Sequence, residues 1–257
     1  MRGSYGLAVQ ERAELIMLSD IAGYVGADTC GCLLAIRQDQ QEEISLMIDI
    51  GTNGEMVLGN RERMVTCSTA AGPAFEGAKI ECGMRGAAGA VDHVKYEDGK
   101  WSYTTVGNKP AVGLCGSGLI DLVAGLLDAG MLDENGVLSS GQGKKDVFML
   151  VPPEWAGNGR GVYLTQKDLG EVQLAKAAIA AGIRMLMERL GITEDDIGSV
   201  YIAGAFGNYM DSVSAGKIGL LPATLVKKVK PVGNAAGEGA KIALVNEKEM
   251  LEMDELV

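Results

Sequence analysis

The segment 49–55 carries the most specific chemical pattern in the chain and reads DIGTNGE after an apolar run. Asp49 ends a predicted strand, where its carboxylate could hold Mg²⁺ or the water around it, since hard cations prefer carboxylate oxygen. Gly51, Thr52 and Gly54 form a turn whose small residues allow backbone N–H groups to approach phosphate oxygens. A β-hairpin turn with Asn-Gly chosen for its geometry explains the same letters equally well. The segment alone therefore predicts either a phosphate-binding loop or a structural turn.

Two further glycine-bearing loops follow apolar strands in the carboxyl-terminal part of the sequence. One is the loop Gly204, Ala205, Phe206, Gly207 and Asn208, and the other begins with Gly233 and Asn234. Loops at the carboxyl ends of strands line the ligand crevice of open α/β sheets, and a helix that follows one offers free N–H groups. A tight structural turn is the alternative for the first of these loops. Neither loop is a GxGxxG and the chain has no GxxxxGK[ST], so Rossmann and P-loop folds lack their fingerprints.

The strongest helical pattern covers 165–190, with apolar residues at three- and four-residue spacing. Thr165 and Asp168 resemble a capping box at its start, with Asp in place of the usual Glu or Gln. Gln173 and Lys176 share one face beside the apolar stripe because they are three residues apart. That face could reach a ribose or an adenine, or it could be solvated, and the residues alone favour solvation.

Short apolar runs separated by Gly, Asn and Pro predict an α/β protein in the rest of the chain. The first three strands should form an antiparallel meander, and the last two should run parallel. Strands are predicted over 44–50, 55–58, 64–68, 199–204 and 225–233, with a hairpin over 91–106 that turns at Asp98-Gly99 and a loop over 139–161. Helices are predicted over 73–80, from Ser117 as N-cap to Gly130, over 165–190 ahead of Gly191, near 212–218 and after Asn234.

The composition excludes several classes of function. The chain has 257 residues, a formal net charge of −11 and a sequence pI of about 4.7, and a field of that sign opposes binding to nucleic acid. No apolar run is long enough to span a bilayer and the start lacks a signal-peptide pattern, so we expect a cytoplasmic protein without a membrane partner. The five cysteines include no CxxC pair and the chain has one histidine, so no zinc site of usual spacing is expected.

The order of the motifs resembles one family of the actin-like superfamily, which includes sugar kinases, Hsp70 and actin. The stretches that carry the resemblance run from about residue 14 to 245 and are IAGYVGADT, IDIGTNGE, CSTAAGPAFEGA, GLCGSGLIDLVAGLL, QLAKAAIAAGI, AGAFGNY and VGNAAGEGA. Together they are similar to the reductive activators of corrinoid proteins, which use ATP to return an inactive Co(II) cofactor to Co(I). The resemblance implies an actin-like (RNase H-like) lobe, with a mixed sheet flanked by helices and an inserted β-hairpin and helix subdomain.

The resemblance also implies a site for ATP or ADP with Mg²⁺. Asp49 would be its catalytic residue and metal ligand. Glu76, in GPAFEGA, would lie at a helix start that faces the nucleotide. The second phosphate loop of the superfamily would consist of Gly51, Thr52, Asn53 and Gly54. The residues around the adenosine would be Gln173, Lys176, Gly204, Ala205, Phe206, Gly207, Asn208, Gly233 and Asn234.

Full-length members of that family resemble a ferredoxin-like [2Fe–2S] domain, a linker and an actin-like domain with two lobes. This sequence has no C-x₄-C-x₂-C spacing, so we expect no iron–sulfur cluster in this chain. It contains DxGT once, at Asp49, so we also expect that the first lobe is missing. The expected division is an inter-lobe segment and helix over 1–43 and a nucleotide-binding lobe over 44–257, with an insertion roughly over 84–164. We expect a truncated or split protein. Its expected partners are a corrinoid protein and the missing first lobe with its ferredoxin-like domain, and the chain could also pair with a second copy of itself as a homodimer.

Three other functions stay open on the residues alone. An iron–sulfur dehydratase activator of the same superfamily should hold a cluster through cysteines of paired subunits. A small-molecule kinase should show a catalytic Asp and a substrate pocket from the missing lobe. A non-catalytic interaction or dimerisation module would use an apolar surface left where the first lobe docks. The working hypothesis is the nucleotide-binding portion of a reductive corrinoid activator, in which ATP changes the affinity or geometry of the complex with the corrinoid protein.

Overall fold

The computed structural model describes residues 6, 10, 17–133, 135–139, 146–204 and 207–253. In these residues the strands are β1 (Ser45–Ile50), β2 (Gly54–Asn60), β3 (Arg63–Thr69), β4 (Ala90–Glu97), β5 (Lys100–Thr105), β6 (Gly113–Leu114), β7 (Val147–Val151), β8 (Val162–Thr165), β9 (Ser199–Ala203) and β10 (Val229–Gly233). The helices are α1 (Ala27–Ile36), α2 (Gly116–Asp128), α3 (Gln166–Leu190), α4 (Ser212–Lys217), α5 (Ala235–Val245) and α6 (Glu247–Glu252). Short 3₁₀ segments cover Gln38–Gln40, Val106–Asn108, Glu194–Asp196 and Ala223–Lys228.

Five strands form a mixed sheet in the order β10-β9-β1-β2-β3. Strand β1 runs parallel to β9, which runs parallel to β10, whereas β1, β2 and β3 form an antiparallel meander. The predicted mixed sheet, its meander and its parallel carboxyl-terminal strands are confirmed. Because β1, β9 and β10 point the same way, their carboxyl ends and the loops that follow them meet at one edge of the sheet.

Side chains of β1 are buried on both faces of the sheet, which is why this strand is a continuous apolar run. Leu46 and Ile48 belong to the main core together with Ile179 of α3. Met47 points to the opposite face and packs in a smaller core with Leu33 of α1. Helix α3 therefore covers one face of the sheet, and α1 with α5 covers the other.

Helices α1 and α5 cross at very short distance because two glycines form the crossing point. A Cβ on Gly239 would lie 1.9 Å from the Gly31 carbonyl oxygen, and a Cβ on Gly31 would lie 2.9 Å from the Ala236 carbonyl oxygen. Neither position can carry a side chain without separating the helices. This close packing fixes where α1 lies beneath the loop that precedes α5.

Helix α3 begins with the capping box that the sequence predicts. Thr165 Oγ1 accepts from the Asp168 N–H, and Asp168 Oδ2 accepts from the Thr165 N–H at 2.9 Å. The helix ends at Gly191, whose φ of 72° is the left-handed conformation typical of a helix terminus. Both predictions are confirmed. Although α3 has 25 residues, no helix in the described part of the chain combines the length and apolar character needed to cross a bilayer.

The chain between β3 and α3 forms smaller sheets against the main layer. Strands β4 and β5 pair through Asp98 and Gly99, whose φ angles of 52° and 76° fit the predicted two-residue hairpin turn. Helix α2 packs on β4, since a Cβ on Gly118 would lie 2.2 Å from the Val91 carbonyl oxygen. Strand β6 joins β4, and β7 pairs with β8. The predicted division into an inter-lobe segment over 1–43 and a lobe over 44–257, with an insertion roughly over 84–164, stays a prediction.

The helix predicted over 73–80 is wrong. These residues form consecutive turns, because Gly77 and Lys79 adopt φ angles of 80° and 65° that a right-handed helix cannot contain. Gly77 also lies against the backbone of Met84, where a Cβ would meet the Met84 nitrogen at 2.5 Å. Pro73 opens a turn, as expected, but tertiary contact stops it from extending.

Three smaller predictions also need correction. The expected loop over 139–161 contains β7, because Phe148 is fully buried and stacks at 4.8 Å on Trp101. The first part of the strand expected over 225–233 is a 3₁₀ segment that begins after Pro222, a residue suited to a helix start. Helix α2 takes Cys115 as its N-cap instead of Ser117, which lies inside the helix and is buried.

All five cysteines are free thiols. Cys30, Cys32 and Cys115 are buried, and Cys67 and Cys82 are half-buried. Burial, together with the nearby carboxylates of Asp20 and Asp28, raises the pKa of Cys30 to about 11. A thiol in this environment stays protonated at neutral pH and packs as a small apolar group.

Candidate functional site

The loops that follow β1, β9 and β10 meet at one edge of the central sheet. Asp49 lies opposite Ala203 in the register of β1 with β9, and the Gly204 N–H donates a 2.8 Å hydrogen bond to the Gly233 carbonyl. A Cβ on Gly204 would lie 3.0 Å from Asp49 Oδ1, so the loop after β9 lies directly against the carboxylate. The carboxyl ends of parallel strands are where open α/β sheets bind ligands.

The loop after β1 is a tight turn with an exposed polar tip. The Gly51 N–H donates a 2.9 Å hydrogen bond to the Asn53 carbonyl, and Thr52 and Asn53 are exposed. Gly54 is buried at the start of β2, where a Cβ would lie 3.0 Å from Thr69 Oγ1. The segment is thus a hairpin turn between β1 and β2 and also presents hydroxyl and amide groups outward.

Glu76 lies beside this loop. The Thr52 hydroxyl donates a 2.8 Å hydrogen bond to Glu76 Oε2, although Glu76 comes from the turns over 73–80 and not from a helix start. A cavity of about 560 Å³ opens here, within the size range of small-molecule sites, and its lining includes Ile50, Glu76, Arg85, Ser117 and Tyr209. Ile50, the last residue of β1, and Glu76, the partner of Thr52, therefore line a space large enough for a ligand.

The two carboxylate oxygens of Asp49 face different neighbours. Oδ2 accepts a 3.7 Å hydrogen bond from the Cys32 thiol, and Oδ1 lies beside Gly204. Burial raises the pKa of Asp49 above its usual value; the Cys32 hydrogen bond lowers it and the charge of Asp28 raises it. A cation at this carboxylate would favour its ionised form and offset the cost of burial.

Gly204 brings the backbone of the loop after β9 against Asp49. Gly204 has a φ of 89°, a conformation that favours glycine, and its lack of a side chain allows the backbone to approach Asp49 closely. Gly207 is buried against Ile202, where a Cβ would lie 2.5 Å from Ile202 Cγ2. The predicted site residues Ala205 and Phe206 lie outside the described residues.

The loop after β10 closes on the loop after β9. Gly233 has a φ of 62°, and a Cβ there would lie 3.1 Å from Asn208 Nδ2. Asn234 then caps α5, because its Oδ1 accepts a 3.0 Å hydrogen bond from the Gly237 N–H. Asn208 and Asn234 are both exposed, so their amides can face a bound molecule.

The structure places Gln173 and Lys176 on α3, away from the hydrogen bonds that join these loops. Gln173 Nε2 donates a 3.2 Å hydrogen bond to the Asn135 carbonyl. Lys176 Nζ lies near Gly219, where a Cβ would approach it to 3.4 Å. The assignment of both residues to the adenosine stays a prediction.

The residues present fit a Mg²⁺–nucleotide complex better than a metal ion held by protein alone. Within the described ranges, no three His, Cys, Asp or Glu side chains gather closely enough to hold one metal ion. Mg²⁺ commonly takes one or two carboxylates and completes its shell with phosphate oxygens and water. Asp49 offers such a carboxylate at the edge of the sheet where the loops after β1, β9 and β10 meet.

Sequence reasoning missed three side chains near the loop after β1. Cys32 and Asp28 come from α1, and Glu55 lies opposite Asp49 in the register of β1 with β2. Burial raises the pKa of Glu55, a 3.0 Å hydrogen bond from Ser68 lowers it, and Asp28 and Asp49 raise it. Glu55 could have been found from the sequence, because it is the acidic residue that ends the segment DIGTNGE. Cys32 and Asp28 could not be found in this way, because the position of α1 depends on its packing against α5 and no local sequence pattern predicts that packing.

Comparison with known proteins gives matches over most of the chain. The family described as the C-terminal domain of RACo, the ASKHA domain, matches residues 43–257. The corrinoid activation enzyme RamQ of Eubacterium limosum is 38% identical over 258 residues, which cover 95% of this chain and 43% of RamQ. The [Co(II) methylated amine-specific corrinoid protein] reductase of Methanosarcina barkeri is 30% identical over 270 residues, which cover 96% of this chain and 47% of the reductase.

A solved structure agrees with these sequence matches. The reductive activator for corrinoid,iron-sulfur protein has a TM-score of 0.87 and 41% identity, over 93% of this chain and 40% of that chain. This chain thus spans less than half the length of each of these relatives. The mixed sheet and its three edge loops lie within the matched range. The chain belongs to the family of the C-terminal ASKHA domain of RACo, the actin-like domain of the reductive activators of corrinoid proteins.

Proposed function

We propose that this chain supplies Mg²⁺ and adenine-nucleotide contacts to an ATP-dependent reductive activator of corrinoid proteins. The observation that carries this proposal is the meeting of the loops after β1, β9 and β10 around Asp49, within an ASKHA domain. Relatives that match nearly the whole chain are named a corrinoid activation enzyme and a Co(II) corrinoid protein reductase. These names favour a corrinoid activator over a kinase or a dehydratase activator of the same superfamily.

In this proposal the loop after β1 takes the phosphate and the metal. Asp49 would bind Mg²⁺ through Oδ1, the oxygen that faces Gly204. The exposed Asn53 amide would meet phosphate oxygens, and the Thr52 hydroxyl would do so by exchanging its hydrogen bond to Glu76 for one to the ligand. Glycine at the tight positions allows a ligand to approach the backbone, which a larger side chain would prevent.

The other two loops would take the adenosine. Gly204, Gly207 and Asn208 would flank it on one side, and Gly233 with Asn234 would close the other, because Gly233 lies directly against Asn208. Ala205, Phe206, Gln173 and Lys176 complete the proposed set as contacts that the sequence predicts. The first turn of α5 adds the N-terminal end of a helix dipole, which favours anions.

ATP hydrolysis would supply the free energy that the reduction of Co(II) to Co(I) requires. A ligand drives such a change only when its binding differs between two states of the protein. The Thr52 hydrogen bond to Glu76 joins the loop after β1 to the turns over 73–80, so occupation of the loop would alter the position of those turns. In this proposal, the movement of these turns is the change that the corrinoid protein would detect.

The test is an anaerobic reduction assay with the protein that carries this chain, a Co(II) corrinoid protein, a low-potential reductant and ATP. Visible absorbance follows the formation of Co(I). We expect formation of Co(I) that depends on ATP, that is lost in Asp49→Asn and that persists in Asp98→Asn, which removes the same charge from the distant β4–β5 turn. Equal formation of Co(I) with and without ATP would contradict the proposal.

A further inference from the structure

We propose that Cys32 is a positioning residue for Asp49. The Cys32 thiol holds one carboxylate oxygen of Asp49 so that the other oxygen faces the loops after β9 and β10. The inference rests on the proposed function, because it assigns a role within the same site. Cys32 lies on α1, outside every loop that the sequence patterns single out.

The contact itself is buried and directional. Cys32 is fully buried, and its Sγ donates to Asp49 Oδ2 at 3.7 Å. A thiol carries a donor hydrogen and an ionised carboxylate can only accept, so the hydrogen bond runs from Cys32 to Asp49.

The position of the thiol is set by the crossing of α1 and α5. Gly31, the residue before Cys32, packs against Ala236 and Gly239 with no room for a Cβ. The Ala236 backbone N–H also hydrogen-bonds to Cys32 and lowers the pKa of its thiol. The sulfur therefore joins the first turn of α5, which follows Gly233, to the carboxylate at the end of β1.

The consequence is an Asp49 side chain held in one orientation before any ligand arrives. Rotation about the Cβ–Cγ bond of an aspartate exchanges its two oxygens, and a donor on one oxygen favours one arrangement. With Oδ2 held by Cys32, Oδ1 stays beside Gly204, on the side of the loops after β9 and β10. Preorganisation of this kind increases affinity by lowering the cost of ordering the ligand site.

The test compares Cys32→Ala and Cys32→Ser with the matched control Cys30→Ala. Cys30 is equally buried on α1 but packs with Leu34 and Ala243 in a separate cluster. The first measurement is the infrared S–H stretching band of Cys32, identified by its loss in Cys32→Ala. We expect this band to move when Asp49→Asn replaces the charged acceptor by an amide. An unchanged band would overturn the contact, and this measurement needs no nucleotide.

The second measurement is the Mg²⁺ dependence of ADP affinity, obtained by calorimetric titration of the whole chain. We expect Cys32→Ala to need about three- to tenfold more Mg²⁺ for half-maximal ADP binding, the effect of one lost hydrogen bond. Cys32→Ser, which keeps an O–H donor, should restore most of the loss, and Cys30→Ala should bind as the wild type does. Equal Mg²⁺ dependence in Cys32→Ala and Cys30→Ala would overturn the positioning role. Failure of the wild type to bind ADP would instead contradict the proposed function.

Discussion

The Thr52 hydroxyl donates a 2.8 Å hydrogen bond to Glu76 Oε2 across 24 residues of sequence. This bond joins the exposed tip of the loop after β1 to the turns over 73–80. The loop itself is held by β1 and β2, whereas the turns are held by Gly77 against Met84. Thr52 and Glu76 therefore connect the loop after β1 directly to the turns over 73–80.

We expect Thr52→Val and Glu76→Gln to be coupled in nucleotide binding. Each single change should weaken Mg·ADP binding several-fold, and the double variant should lose less than the sum, with a coupling free energy of about 1 kcal/mol. Calorimetric titration of the four proteins measures the cycle. Thr193→Val, which breaks the exposed hydrogen bond from the Thr193 hydroxyl to Asp196 Oδ2, is the control and should bind normally. Strictly additive losses would rule out the link.

We expect Asp49→Asn to stabilise the Mg²⁺-free protein at neutral pH. The pKa of Asp49 is raised in the folded state, mainly by burial, so the folded protein keeps a proton that the unfolded chain has already released. Stability therefore falls as pH rises from the unfolded pKa, about 3.9, to the higher folded pKa, and the penalty persists above it. The variant should be more stable than the wild type at pH 7, and the gain should vanish below the unfolded pKa. Urea denaturation with EDTA across this pH range measures it, and a gain that does not change with pH would count against buried Asp49 as its source.

We expect Gly204→Ala to lower the free energy of unfolding more than a Gly→Ala change at another position with positive φ. A Cβ on Gly204 would lie 3.0 Å from Asp49 Oδ1 and 3.3 Å from the Ile50 carbonyl oxygen. The left-handed strain and this contact should together cost about 1–3 kcal/mol of unfolding free energy. Gly130→Ala is the control, since Gly130 has a φ of 66° and a Cβ there would point into open space, with no neighbouring atom within 4 Å. If urea denaturation shows equal losses of unfolding free energy for both variants, the close approach of Gly204 to Asp49 does not limit this position.

We expect Asp168→Ala to destabilise the protein strongly. Asp168 is buried and accepts hydrogen bonds from the Thr165 N–H at 2.9 Å, the Thr165 hydroxyl at 2.8 Å and the Glu81 N–H at 2.9 Å. Loss of the cap with buried donors left unpaired should cost about 2–3 kcal/mol. Asp196 forms the same capping box with Thr193 at an exposed position, so Asp196→Ala should cost clearly less in urea denaturation. The reverse order would show that burial is not what makes the cap of α3 important.

The parts of the fold that follow local rules could be predicted from the sequence. Short apolar runs joined by Gly and Asn turns predict the meander from β1, and the Thr165 and Asp168 pair predicts the start of α3, because both signals lie within a few residues. The helix predicted over 73–80 failed because Gly77 takes its left-handed angle in contact with Met84, which no local pattern encodes. Strand β7 was missed because the glycines and prolines around it conceal a short buried strand.

The candidate site could be predicted only as far as its loops. Asp49 and Gly204 each stand out by type and by their place after a strand, and the parallel pairing of β1 and β9 brings them together. Cys32 could not be found this way, since its contact with Asp49 spans 17 residues and depends on the crossing at Gly31 and Gly239. Contacts that arise from helix packing need the structure.

The central claim is that this chain carries a Mg²⁺-dependent adenine-nucleotide site at Asp49. The most direct measurement is calorimetric titration of the folded chain with Mg·ADP and Mg·ATP, in parallel with Asp49→Asn and the distant charge control Asp98→Asn. We predict saturable one-to-one binding by the wild type and by Asp98→Asn, and a loss of about tenfold or more in Asp49→Asn, as expected when a charged ligand contact is removed. A well-folded wild type that binds neither nucleotide, or an Asp49→Asn variant that binds as tightly as the wild type, would contradict the claim.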